Sequence, residues 1–441
     1  MNILIKNGRL VDPSQKIDGV YDILVAKGKI QELISHGIKV KVQKPLKNTV
    51  GRRTENRELI TIDAEGLLIL PGLVDMHAHL REPGFEYKET IQTGTEAAIA
   101  GGITSVCCMP NTSPVNDNAT VTNFIIKKAI EKGFCDVFPI GAITKGQKGE
   151  ELAEFGMMYE AGCVAFSDDG RPVMDSLIMR RALEYSKIFN VPIISHAEDI
   201  SLAAGGVMNE GLLSIKLGLK GVPAQAEEIM IARDIALAEL TRSRLHIAHV
   251  STKGSVELIR LAKKRGIADI TAETCPHYFS ITEDAVEGYN TNAKVNPPLR
   301  KKEDVDAIRK GLKDNTIDVI ATDHAPHHRD EKLGEFNLAP SGISGFETSI
   351  GLSMKLVDEG ALTLNQLIEK MALNPSNLAG LRKGTAKQGA DADLVILDTH
   401  TEYTVDAANF RSMGKNTPFE GWKLKGSAVI TICKGKIYDI S

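Results

Sequence analysis

Residues Leu67–Gly84 read LLILPGLVDMHAHLREPG. An apolar run ends at Pro71-Gly72, resumes briefly, and then presents His77 and His79 two residues apart, followed by Leu80 and Arg81. In an extended chain, residues i and i+2 point to the same side, so both imidazoles can face one point in space. That point is a candidate metal position. The pair also sits where a buried strand runs out into a loop.

Outward from this stretch, short apolar runs alternate with segments of helical spacing. Eight candidate strands are legible: Leu67 to Val74, Ile103 to Met109, Asp136 to Ile143, Cys163 to Phe166, Val191 to Ser195, Leu245 to Val250, Ile267 to Ala272 and Ile317 to Ala321. Helical spacing is clearest in Val121 to Ile130, Ile178 to Ile188, Ala226 to Leu240, Val256 to Ala262 and Val305 to Leu312. The expected fold is α/β, a (β/α)8 TIM-type barrel over 67–383, whose chemistry gathers at the C-terminal ends of its strands. A doubly wound open sheet is the alternative, weakened because no GxGxxG follows the first strand.

Both chain ends have a different texture. Asn2 to Ile5 and Tyr21 to Val25 are β-type runs followed by Asn7-Gly8 and Lys27-Gly28, which read as hairpin turns. Ala392 to Asp398 and Ala428 to Asp439 read as strands near the other end. Residues 1–66 and 384–441 are therefore expected to build one small accessory β-sandwich module. Lys39 to Glu58 is polar and basic, and reads as an exposed insertion within it.

With 441 residues, the chain has room for a large domain and an accessory module. Its 53 basic and 57 acidic residues leave a net charge of −4, with no polyelectrolyte signal for nucleic acid or anionic membrane. No apolar run reaches the ~18 residues of a membrane span, and MNILIKNGRL lacks a signal-peptide core. Cys107, Cys108, Cys135, Cys163, Cys275 and Cys433 form no CxxC pair and read as reduced core thiols of a cytoplasmic protein.

The strand ends carry the chemistry. The first offers His77, His79 and Arg81, the second Asn111, and the fourth Ser167-Asp168-Asp169-Gly170; the fifth ends in His196, the sixth in His249, the eighth in Asp323 with His324 and His327 behind it. Imidazoles and carboxylates converging on one barrel mouth match the ligand preference of zinc. Strict alternation would aim Phe166 and Asp168 together and Asp169 oppositely, although a turn at Gly170 disturbs that count. His246, three residues before His249, should face the helix layer. His277 could line the mouth, and Glu198 and Asp199 read as supporting or capping groups.

The motifs HAHLREPG, MPNT, AFSDDG, ISHAED, HVST, NPPLR and ATDHAPH resemble those of dihydroorotases of the bacterial class I type, in the amidohydrolase superfamily. Arg81 and Asn111 separate that group from hydantoinases and allantoinases, which place a carboxylated lysine at the strand end matching Ser167 to Asp169. The resemblance implies reversible cyclisation of N-carbamoyl-L-aspartate to L-dihydroorotate and water, in pyrimidine biosynthesis. It implies one or two Zn2+ held by His77, His79, Asp169, His196, His249 and Asp323, with Asp323 also the acid/base that moves the proton. It implies that Arg81, Asn111 and His327 take the substrate carboxylate and that Asn296 meets the ring amide edge. Residues 328–345 are expected to form a mobile loop over substrate. A homo-oligomer and a complex with aspartate transcarbamoylase are the partners implied.

Overall fold

The computed structural model describes residues 2–36 and 59–440; the insertion Lys39 to Glu58 lies outside the described residues. Strands Leu73–Ala78, Ile103–Cys108 and Asp136–Pro139 form one parallel sheet, and Phe166–Ser167, Ile193–Ser195, Arg244–Ile247, Asp269–Thr274 and Val319–Ile320 form another. Parallel bridges Gly141↔Phe166 and Ala78↔His324 join their edges. The result is a closed barrel with strands in chain order, as expected, and the open-sheet alternative falls away. Alternate side chains fill its interior, among them Met76, Cys107, Ile140, Ala165, Ile194, Ala248 and Val319. Opposite side chains pack outward, where the Phe166 ring stacks on Phe155 at 3.8 Å.

Four of the predicted helical windows lie within Ala119–Lys132, Gln225–Thr241, Lys253–Arg265 and Lys302–Lys313, and Ile178 to Ile188 runs from Ser176–Ser186 into the 3-10 turn Lys187–Phe189 after it. Several starts are set by a side chain that satisfies otherwise orphaned backbone N–H groups, as Asn118, Asp175 and Thr252 do. Among the described residues, no helix is long and apolar enough to cross a membrane.

The two ends of the chain meet in one sheet. It takes Asn2–Asp12, Ile17–Ala26, Lys29–Ser35, Leu59–Asp63 and Leu68–Pro71 from one side and Leu394–Thr404, Lys423–Cys433 and Lys436–Asp439 from the other. The described strands of this module form a single hydrogen-bonded sheet, and Ile3, Ile23, Ile396 and Ile432 from both chain ends share one core. Leu68–Pro71 is its seam, parallel to Asn2–Asp12 and antiparallel to Leu394–Thr404. Ile69, Leu394 and Ile396 face the module core, while Leu68, Leu70, Val395 and Leu397 join the cluster shared with the barrel.

That seam corrects the reading of Leu67 to Val74 as one barrel strand. The run is two strands in different sheets, and the barrel begins after Pro71. Gly72 permits the crossing, since a Cβ there would overlap the Thr104 side chain. Lys27-Gly28 is a hairpin turn with both residues at positive φ, 51° and 74°. Asn7-Gly8 is not a turn. It lies inside Asn2–Asp12 at a register shift, so it is a bulge in a continuing strand. Residues 405–422 lie between two strands of the sheet, and within them Ser412, Gly414 and Asn416 hydrogen-bond to Glu89, Ser344 and His327.

Candidate active site

The first barrel strand loses its regular register between Asp75 and Ala78. Asp75 is buried and accepts hydrogen bonds from His77 N and Thr322 N, both at 3.1 Å, and from the Thr322 hydroxyl. It thereby ties the first strand to the turn that carries Asp323. Burial raises its carboxyl to about 7. From this anchor, His77 and His79 reach the mouth with ring centroids 5.5 Å apart.

Asp169 lies between two groups of imidazoles. Its Oδ1 is 3.5 Å from His77 Nε2, 3.4 Å from His196 Nδ1 and 3.5 Å from His249 Nε2, and its Oδ2 is 3.6 Å from His79 Nε2. Asp323 Oδ1 lies 3.0 Å from His79 Nε2 and 3.5 Å from His77 Nε2. All six expected metal residues therefore converge. His77 Nε2 and His249 Nδ1 are buried with no hydrogen-bond partner. Clustered nitrogen and carboxylate donors, with His77 Nε2 orphaned among them, suit a divalent metal.

Electrostatics follow from this crowding. Burial alone would raise the Asp323 carboxyl, but His77, His79 and His249 hold it down at about 2. Burial would likewise lower His196, yet Asp169 and Glu198 raise it to about 10. Backbone strain gathers here as well. Arg81, His249 and Asp323 have φ of 61°, 33° and 47°, a region that side chains with a Cβ seldom occupy and that marks functional turns.

Alternation separates the two aspartates as expected. Asp168 points outward, accepting from Ile143 N at 2.8 Å, Thr144 N at 3.1 Å and the Thr144 hydroxyl, while Asp169 enters the site. His246 departs from expectation. It faces the barrel interior, its Nε2 3.2 Å from Glu273 Oε2 and its Nδ1 2.9 Å from Thr271 Oγ1. Parity counted back from His249 fails because the regular strand ends at Ile247 and His249 is left-handed.

Glu273 was not singled out from sequence. It is fully buried, and its Oε1 accepts from His77 Nδ1 at 2.5 Å. The available signal was an acid between Ala272 and Thr274 near the C-terminal end of Asp269–Thr274, whose other acid, Asp269, opens the strand at the exposed end.

A cavity of about 560 Å3 opens over these groups, lined by His79, Arg81, Asn111, Asp169, Asn296 and Asp323 among others. Asn111 Oδ1 accepts from His79 Nδ1 at 2.9 Å and its Nδ2 donates to Asp169 Oδ2 at 3.3 Å, so it orients two of the donors. Asn296 Nδ2 donates to Glu198 Oε2 at 3.2 Å. Arg81 Nε donates to Pro326 O at 3.2 Å, and its Nη2 lies 3.3 Å from His327 Nε2.

His327 is not among the lining residues and stands behind Arg81. Its Nε2–H donates to Ser341 O at 2.8 Å, and its Nδ1 faces Lys88 Nζ at 3.4 Å. Burial, with Arg81, Lys332 and Lys88, pushes it down to about 2, so it stays neutral. Residues 328–345 are tied down at several points. Buried Lys294 donates to Phe336 O at 2.7 Å, and buried Lys332 donates to Thr291 O and Pro340 O at 3.0 and 2.7 Å. Asn416 adds a brace from the C-terminal segment: its Oδ1 accepts from His327 N at 3.0 Å, and its Nδ2 donates to Ala325 O and Gly342 O at 3.1 and 2.9 Å.

The chain is also similar to known proteins over nearly its whole length. The family described as Dihydro-orotase-like matches residues 66–255. The dihydroorotase of Geobacter metallireducens is 57% identical over 437 residues, covering 99% of each chain. That of Acetivibrio thermocellus is 55% identical over 436 residues, covering 99% of this chain and 98% of its own.

The chain belongs to the dihydroorotase family.

The fold of this family member is shared with an L-hydantoinase (dihydropyrimidinase) from Arthrobacter aurescens, with a TM-score of 0.85, 28% identity, and coverage of 99% of this chain and 95% of that one. It is also shared with a dihydropyrimidinase from Brevibacillus agri, with a TM-score of 0.82, 23% identity and the same coverage.

Proposed function

We propose that the chain interconverts N-carbamoyl-L-aspartate and L-dihydroorotate in the cytoplasm, as a step of pyrimidine synthesis, with one or two Zn2+ held by His77, His79, Asp169, His196, His249 and Asp323. The observation that carries this reading is the placement of the Arg81 guanidinium in the same cavity wall as these donors. A plain cyclic amide needs no cation there; a substrate with a carboxylate does. When bound, zinc polarises the carbonyl and lowers the pKa of a water toward about 7.

The chain's own groups do the rest. Arg81 holds the substrate carboxylate, and the backbone carbonyl of Pro326 holds Arg81. Asn296, with its Nδ2 engaged by Glu198, presents Oδ1 to an N–H of the ring amide edge. Asp323, kept ionised, takes the proton of the attacking water and returns it to the ring nitrogen as the C–N bond breaks. In ring closure it takes the proton from the ureido nitrogen and delivers it to the departing hydroxide.

The test is hydrolysis of dihydroorotate with zinc added or chelated, coupled to metal analysis. Activity should follow metal content and exceed that on hydantoin or allantoin; the reverse order of substrates would overturn the reading.

A further inference from the structure

We infer that Cys275, His277 and Asp323 form a second site for thiophilic divalent cations that shares Asp323 with the first, and that filling it withdraws Asp323 from proton transfer. Only the second part rests on the function proposed above. Each residue offers one ligand atom, these atoms lie within 4.8 Å of one another, and all three side chains are buried. Cys275 immediately follows the strand Asp269–Thr274 and stands two residues on from Glu273, which enters the barrel. The thiol is fully buried, and its place beside His277 and Asp323 is given by the distances within the set.

His277 supplies an independent observation. The residue is 2% exposed and its Nε2 has no hydrogen-bond partner, a costly arrangement for a polar atom unless a ligand completes it. Asp323 lines the cavity, so an ion can reach the set from solvent. The set mixes sulfur, nitrogen and oxygen donors, which suits cadmium, mercury or excess zinc and disfavours magnesium. Coordination replaces the S–H bond with a sulfur–metal bond and releases the proton to solvent, with no change of oxidation state. His77, His79 and Asp323 form an overlapping cluster, so the two sets compete for one carboxylate.

Cadmium chloride titrated into the metal-replete enzyme tests this, with thiolate-to-cadmium absorption and dihydroorotate hydrolysis read together. The histidine and aspartate donors include no thiol, so exchange among them produces no such band. The expected result is a band with an equimolar end point and a parallel loss of hydrolysis. Cys275→Ser should abolish the band and keep hydrolysis at the same cadmium concentration, and magnesium should produce neither effect. His277→Gln, which keeps the thiol, should shift the titration to higher cadmium and serves as a second test should Cys275→Ser fold poorly. An undiminished band or undiminished inhibition in Cys275→Ser would overturn the site, and a Cys275-dependent band without loss of hydrolysis would overturn the competition for Asp323. A parent enzyme that hydrolyses no dihydroorotate refutes the functional reading instead, while the band still tests the site.

Discussion

His77 Nδ1 lies 2.5 Å from Glu273 Oε1, a contact between residues 196 apart in the chain. The carboxylate accepts the Nδ1 proton and leaves Nε2 aimed at Asp169 and Asp323. A carboxylate behind a ligating histidine sets its tautomer and increases its basicity, and losing such a partner typically costs 10–100-fold in metal affinity. Glu273→Gln should therefore weaken metal retention by about that factor. Metal analysis after dialysis against a competing chelator checks this; parental retention would remove Glu273 from the role.

The neighbouring aspartates should separate cleanly. Asp169→Ala should lower metal loading, because its carboxylate stands between the two groups of imidazoles. Asp168→Ala should leave loading intact and lower stability by about 1–3 kcal/mol, since Ile143 N and Thr144 N lose their buried acceptor. Metal content and thermal denaturation of the two variants give the answer, and metal loss in Asp168→Ala would reverse the assignment.

Asp323→Asn preserves shape but removes the proton acceptor. Turnover should fall by about 10²–10⁴-fold, the usual range for a positioned acid/base, with metal largely retained by the other donors. Full turnover in this variant would exclude Asp323 as the base.

Arg81→Met should act mainly on KM. A charge-assisted hydrogen bond contributes about 1.5–3 kcal/mol, on the order of 10- to 100-fold in binding. Steady-state kinetics with dihydroorotate distinguishes this outcome; an unchanged KM would place the substrate carboxylate elsewhere.

Much of this was legible before folding was considered. His77 and His79 share a side because they are two residues apart, and alternation in Ala165–Phe166–Ser167 leads Asp169 inward and Asp168 outward. The same counting failed for His246, where a left-handed residue follows the strand and resets parity. It also failed for Leu67 to Val74, where Pro71-Gly72 marks the break in the apolar run but not that the two halves pair in different sheets.

By itself, the sequence determined the alternating barrel pattern, the positions of the imidazoles and carboxylates at strand ends, and the cation beside the first histidine pair. These follow from local backbone geometry, in which side-chain direction repeats every two residues along a strand. Only the tertiary structure decided that Glu273 backs His77, that His327 stands behind Arg81 rather than in the cavity, and that Asn416 reaches from near the chain end to brace the loop carrying His327. Such contacts depend on how the barrel closes and on which distant backbone passes within hydrogen-bond reach, and no local period in the chain encodes that.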